Sequence, residues 1–201
     1  MYTNRKDFPT ILPETNVMYC WSCKATTVEK ISGEKVVFKC LTCNALNERV
    51  LIFDPAMWQT FDEEQNLVHY SAGVMLFNEK NELLIFLRRK FPYLYTIPAG
   101  HISVNEDPKK AGIRELQEEV DVHINHAELI FQGKIYNESC LGGADIHYWY
   151  LYKAKITQKE IILDEEGSEW KWIALDHIDV DTVISPLKFF LISKEILEKL
   201  K

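Results

Sequence analysis

Long apolar runs are absent from this 201-residue chain, as are internal repeats, low-complexity tracts and any surplus of positive charge. The longest hydrophobic stretches are short and interrupted by charged residues, so no segment reads as a membrane span. The N-terminal MYTNRKDFPT carries no apolar run of signal-peptide type. A soluble, cytoplasmic protein with no membrane partner is expected. Twenty-three Lys and Arg face 30 Asp and Glu, and the net charge of −7 repels a phosphate backbone, which disfavours bulk nucleic-acid binding. A polyanionic small molecule is not excluded, because a divalent cation held by acidic side chains reverses the sign of a site locally. With 47% hydrophobic residues, the chain is long enough for one packed domain plus a small appendage.

Cysteine is scarce as well, but four of the five are grouped as Cys20-Trp-Ser-Cys23 and Cys40-Leu-Thr-Cys43. A C-x2-C turn points two thiolates at one place, and two such turns at the ends of a short hairpin complete a tetrahedral site for structural Zn2+. The spacer supplies that hairpin: TTVEKI and KVVFKC are rich in β-branched residues and flank the turn Ser32-Gly33-Glu34-Lys35. A zinc ribbon is therefore expected, disulfides being disfavoured in a reducing compartment. Its plain role is a metal staple for a unit too small to build a core. Charges between the two pairs nearly balance, so a nucleic-acid-binding ribbon has little support. The fifth cysteine, Cys140 in ESCLGGAD, is expected to be incidental, and His101 and His147 receive no role.

The ribbon and its leader are assigned to residues 1–53, ERVLIF (residues 48–53) being its last strand. Residues 54–66, DPAMWQTFDEEQN, read as a linker, and 67–201 as a second domain. HYSAGVMLFN and ELLIFLRRK form a hairpin across Asn78-Glu79-Lys80-Asn81. Further strands are expected in AELIFQGKIYN, DIHYWYLYKAKI and EWKWIAL. SPLKFFLISKEILEKLK reads as one closing helix capped by Ser185 with Pro186 in its first turn. Two helices against a mixed sheet make an α/β layered domain.

The other of these two helices is marked at Asp107 and Pro108 by cap and first-turn chemistry and runs to about Val120. Its rotation of about 100° per residue gathers Ile113, Leu116 and Val120 on one arc and Glu115, Glu118 and Glu119 on the opposite one. Three carboxylates there repel one another and meet the unfavourable end of the helix dipole. Arg114 alone cannot neutralise them. A hard divalent cation can, since Mg2+ accepts a few carboxylate oxygens, keeps some waters and completes its shell with substrate phosphate. An ordinary charged face is the competing reading of the spacing alone.

These residues resemble the Nudix box, G-x5-E-x7-R-E-U-x-E-E-x-G-U with U apolar: Gly100, Glu106, then Arg114-Glu115-Leu116-Gln117-Glu118-Glu119-Val120-Asp121-Val122. Asp121 replaces the last glycine, the single departure, and an altered helix exit with intact ligands is expected. The resemblance implies a Nudix α/β/α sandwich with a mixed sheet, preceded here by the small zinc-ribbon domain. It implies that Glu115, Glu118 and Glu119, with the carbonyl of Ala99, bind Mg2+ or Mn2+, and that Arg114 orients the glutamates. Gly100, Arg88 and Arg89 are placed on the substrate side, arginine forks matching phosphate geometry. Glu106 is implied as a supporting carboxylate, and Glu165, Glu166 and Glu169 are candidates for one more. Phe91, Tyr93 and Tyr95 either stack on a base or fill the core.

The implied reaction is hydrolysis of the pyrophosphate linkage of a nucleoside diphosphate derivative by metal-activated water. A ribbon ahead of such a domain resembles the NADH pyrophosphatases, but their S-Q-P-W-P-F-P-x-S array is missing. ADP-ribose, NADH and nucleotide sugars therefore all stay open. The competing class is a non-catalytic nucleotide-sensing module whose ribbon contacts protein or nucleic acid; the full set of box acids favours hydrolysis. Many relatives dimerise, and a homodimer is compatible with the sequence.

Overall fold

The structure, a computed structural model, describes residues 8–136, 140–157 and 160–200. The N-terminal region folds as two small sheets. Strand β1 (Val17–Cys20) pairs with β5 (Val50–Phe53), while β2 (Val28–Ile31), β3 (Val37–Cys40) and β4 (Leu46–Asn47) form a three-stranded sheet. The β2–β3 hairpin has the expected register, Val28 opposite Cys40 and Ile31 opposite Val37. Its two C-x2-C turns share one construction. Lys24 N–H donates to the Cys20 carbonyl and Asn44 N–H to the Cys40 carbonyl, both at 2.9 Å. Lys24 and Asn44 both take the left-handed conformation, with φ of 65° and 59°.

Residues 54–66 contain a short strand, β6 (Gln59–Phe61), hydrogen-bonded to the first part of β7 (Leu67–Phe77). Trp58 beside it stacks on Tyr70 with centroids 4.1 Å apart. Asn78 and Asn81 close the turn from β7 into β8 (Leu83–Arg88), Asn81 at positive φ as a tight turn requires. Beyond it come β9 (Tyr95–Thr96) and β10 (Ala99–His101), which pair with β8 and β7. After helix α1 (Pro108–Val120), strands β11 (Glu128–Tyr136), β12 (Ile146–Lys155) and β13 (Gly167–Ile173) complete a mixed sheet of order β11-β12-β7-β8-β13. The β12–β7 pair is parallel and the others are antiparallel.

Both faces of this sheet are covered. Ala111, Leu116 and Val120 of α1 pack on Val74, Leu76, Leu84 and Phe86. On the opposite face Met75, Ile85, Trp149 and Leu151 meet Leu187 and Phe190 of α2 (Ser185–Ile192) and Ile196 of α3 (Lys194–Leu200). Each such fully enclosed large side chain contributes about 1.5–3 kcal/mol. The C-terminal segment thus forms two helices rather than one. Ser193 is extended (φ −74°, ψ 114°), ends α2, and its carbonyl accepts the first amide bond of α3 from Leu197 at 2.9 Å. Nor does Ser185 act as a cap: it is the first helical residue, preceded by an extended Ile184.

Helix α1 starts as its sequence dictates. Asp107 is extended and its carboxylate accepts from Lys110 N–H at 3.0 Å, with Pro108 in the first turn. Its end differs from expectation. Asp121 itself adopts the left-handed conformation (φ 53°, ψ 41°), with its N–H bonded to the Gln117 carbonyl. The chain leaves the helix as it would through a glycine, and the substitution is felt as local strain instead of an altered path.

Candidate active site

Strand β10 and helix α1 face each other across a cleft of about 420 Å3, lined by Ala99, Gly100, His101, Arg114, Glu115, Glu118, Glu119, Lys90, Asp164 and Glu166 among others. Arg114 organises its acidic wall. Its Nε and Nη2 grip Glu106 at 2.9 and 3.1 Å, and Nη1 donates to Glu115 at 2.7 Å and Glu118 at 2.8 Å. Nη2 also donates to the His101 carbonyl at 3.0 Å, joining the helix to β10. The guanidinium holds the Glu106 carboxyl below the usual range and is itself held protonated by these partners.

The three helix glutamates differ in environment. Glu118 is more than half exposed, whereas Glu119 is 6% exposed and accepts from Ala99 N–H at 2.8 Å. Burial pushes Glu119 up to about 8, against the pull of Lys90. Burial also raises Glu115, opposed by Arg114 beside it. Gly100 makes this arrangement possible: a Cβ there would lie 2.2 Å from the carboxyl carbon of Glu115, so only glycine admits that carboxylate against β10.

Lys90, beside Arg88 and Arg89, went unrecognised in the sequence. It pairs with Glu166, and enclosure in the cleft pulls its ammonium down. Lys90 lines the cleft, and Arg88 and Lys90 both line the cavity beside it, while Arg88 and Arg89 together border a separate groove with Gly33, Lys35 and Tyr93. Of the later acids, Glu166 reaches the cleft together with Asp164, and Glu169 instead accepts from the Tyr95 hydroxyl. The aromatic trio divides, Tyr95 packing against the core as one alternative expected and the other two lying elsewhere. Tyr93 donates to the Val36 carbonyl at 3.2 Å, and Phe91 flanks Arg49, so both bind the ribbon to the sheet.

The acidic cleft opens into a second cavity of about 370 Å3 whose walls include Met18, Val36, Phe38 and Ile52 of the ribbon, Arg88, His101 and Trp149 of the sheet, Lys90 and, from α1, Glu119. Among the described residues two sets of donors converge within 4.8 Å: Cys20, Cys23, Cys40 and Cys43, and, unforeseen, His69, His101, Cys140 and His147. The cysteine set fits zinc. Its sulfurs lie 3.8 Å (Cys20 to Cys43) and 3.5 Å (Cys23 to Cys40) apart, against about 3.8 Å for the edge of a tetrahedron with Zn–S bonds of 2.3 Å. The amide of Cys43, the foremost influence, helps pull the Cys40 thiol down to about 6.

The glutamates are less tightly gathered, since Arg114 engages two of them and the Ala99 amide the third. Their donor set nonetheless fits a hard cation that takes one or two carboxylates and keeps its waters, and Gly100 leaves the room such a cluster needs.

Helices on both faces of a mixed sheet, with a carboxylate cleft at the end of one helix, define an α/β/α layered protein. Residues 67–199 match the NUDIX domain model. "Nudix hydrolase 25" of Arabidopsis thaliana is 32% identical over 51% of this chain and 70% of its own. An RNA pyrophosphohydrolase of Wolbachia pipientis is 29% identical over 64% and 83% of the two chains. The NUDIX domain of Shewanella oneidensis NrtR, solved with ADP ribose, shares the fold at TM-score 0.55 and 18% identity, covering 70% of this chain and 94% of that one. The chain belongs to the Nudix family, whose hydrolases act on pyrophosphate bonds.

Proposed function

We propose that this Nudix hydrolase cleaves the pyrophosphate linkage of a nucleoside diphosphate derivative of ADP-ribose, NADH or nucleotide-sugar type, in the cytoplasm, with Mg2+ or Mn2+ as cofactor. In this reading residues 67–201 form the catalytic domain, 1–53 the ribbon and 54–66 their connection. Glu115, Glu118 and Glu119, with the Ala99 carbonyl, hold the cation. Bound there, a divalent cation neutralises phosphate charge and lowers the pKa of water.

Arg114 keeps Glu115 and Glu118 oriented through its paired hydrogen bonds. Lys90 and Arg88 present positive charge to the substrate phosphates from the opposite wall. Water attacks one phosphorus, the bridging P–O bond breaks, and the carboxylate cluster takes the proton, so two phosphate-bearing products leave. The second cavity, between ribbon and sheet, receives the rest of the substrate.

Burial of Glu119 against the Ala99 amide is the observation that carries this reading. A carboxylate enclosed in that way is expensive unless a cation compensates it. Relatives named for pyrophosphate hydrolysis support the reaction class.

Purified protein with Mg2+ or Mn2+, given ADP-ribose, NADH, nucleotide sugars and dinucleoside polyphosphates, is expected to turn over at least one. Glu118→Gln with Glu119→Gln is expected to lower kcat by about 10²–10³-fold, the scale of losing one strong electrostatic contact to the transition state. No turnover of any of them, with nucleotide bound equally by wild type and the double variant, would establish a sensing module instead.

A further inference from the structure

The second convergent donor set lies outside the glutamate cluster and outside the ribbon. Its geometry follows from strand register. β12 runs parallel to β7 with His147 opposite His69, and β10 runs antiparallel with His101 opposite Ser71, two residues along the same face. Three imidazoles therefore project from adjacent strands to one point, with centroids 4.9, 5.5 and 5.6 Å apart. Cys140, in the segment leading to β12, adds its sulfur 3.8 Å from His69 Nδ1.

We infer that His69, His101, His147 and Cys140 form a second tetrahedral metal site, for Zn2+ or a similar borderline transition-metal ion. All four donor atoms lie within 4.8 Å of one another. A tetrahedron with Zn–N of 2.0–2.1 Å and Zn–S of 2.3 Å has edges of about 3.3 Å between nitrogens and about 3.6 Å from nitrogen to sulfur. The measured edges are 3.2 Å (His69 Nδ1 to His101 Nε2) and 3.8 Å (Cys140 Sγ to His69 Nδ1).

Burial strengthens the case. His69, His147 and Cys140 are 0%, 4% and 6% exposed. Three buried polar groups and the half-buried His101 brought together lose hydration, and a shared cation restores the balance. Imidazole and thiolate select zinc-like ions over Mg2+, so this site and the glutamates take different metals. Four protein ligands leave no open position, which makes it a structural site.

What the ion would hold together is also visible. Arg49 Nε donates to the Cys140 carbonyl at 2.7 Å, and the amides of Val50 and Ile52 donate to the carbonyls of Leu141 and Gly142 at 3.1 and 3.0 Å. The Cys140 loop is thereby an extra edge on the ribbon's strand β5. His101 lies next to Gly100, and its carbonyl is bound by Arg114. One ion at this point pins the ribbon-bound loop to the strands that floor the acidic cleft.

Metal analysis and zinc X-ray absorption on the full chain, purified without chelator and dialysed against Mg2+, test this independently of any substrate. Wild type is expected to hold two zinc ions per chain, with an average shell of about 2.5 sulfurs and 1.5 nitrogens per zinc from one four-sulfur and one three-nitrogen site. Cys140→Ser combined with His147→Gln is expected to lose one of the two and leave an all-sulfur shell. One zinc per chain with four sulfurs in wild type overturns the site, whether or not the variant folds. A nitrogen-containing second zinc retained in a folded variant overturns its ligand assignment.

Discussion

At the scale of single residues, Glu119 decides how the cleft behaves. Its acidity is displaced from the usual 4.5 to about 8 by burial, so between those pH values the folded protein binds more protons than the unfolded chain. Stability of the metal-free protein therefore falls as pH rises through that window. Binding of Mg2+ needs the carboxylate ionised and must expel its proton. Calorimetric titration of Mg2+ at pH 7 in buffers of different ionisation enthalpy is expected to report release of about one proton per chain. A heat independent of buffer would show that Glu119 is not a ligand. That three carboxylates share a helix face was legible from their spacing. Which of them is buried was not, because the enclosure of Glu119 comes from β10, whose Ala99 amide lies twenty positions earlier. Arg88 and Arg89 looked equivalent in the sequence for a similar reason; both border one groove, and the fold brings Arg88 to the cavity beside the cleft as well.

At the scale of elements, the start and packing face of α1 were readable from Asp107, Pro108 and the apolar arc, whereas the glycine-like left-handed exit at Asp121 was not expected. A non-glycine residue in the left-handed region is strained, and a carboxylate at a helix C-terminus meets the negative end of the dipole. Asp121→Gly is therefore expected to stabilise the protein by about 0.5–1 kcal/mol in denaturant titration, with kcat unchanged, since Asp121 faces solvent away from the cleft. A loss of stability would mean that the conformational freedom glycine adds to the unfolded chain outweighs the strain. The C-terminal segment was less readable. Its apolar spacing suited one helix, but Ser193 is extended and splits it, so that Phe190 and Ile196 join the same core from two separate helices.

At the scale of the whole molecule, the ribbon walls the second cavity. Arg49 lies over Trp21 at 4.6 Å and near Phe91, and Val36 N–H donates to the Arg89 carbonyl at 3.2 Å. Gly143, at φ 83°, lets the loop pass so close to Trp21 that a Cβ would lie 2.9 Å from its ring. Because Met18, Val36, Phe38 and Ile52 wall the second cavity, disrupting the ribbon should weaken substrate binding more than chemistry. Cys23→Ser is expected to release the ribbon zinc and raise KM about tenfold, equivalent to about 1.4 kcal/mol, with a smaller change in kcat. An unchanged KM in zinc-depleted protein would mean that the ribbon serves stability alone.

What the sequence determined by itself is what repeats over short distances: the paired C-x2-C turns, the acid and apolar arcs of α1, the strand runs and the box that joins Gly100 to Val122. Each depends on one backbone period or one turn, so neighbouring residues carry all the information. What only the tertiary structure decided is which distant residues meet. His69, His101, Cys140 and His147 have no common spacing, and nothing in their local sequence distinguishes them from incidental side chains. They converge because β7 pairs in parallel with β12 and antiparallel with β10 in one register, and a slip of a single residue would send His147 to the opposite face of the sheet.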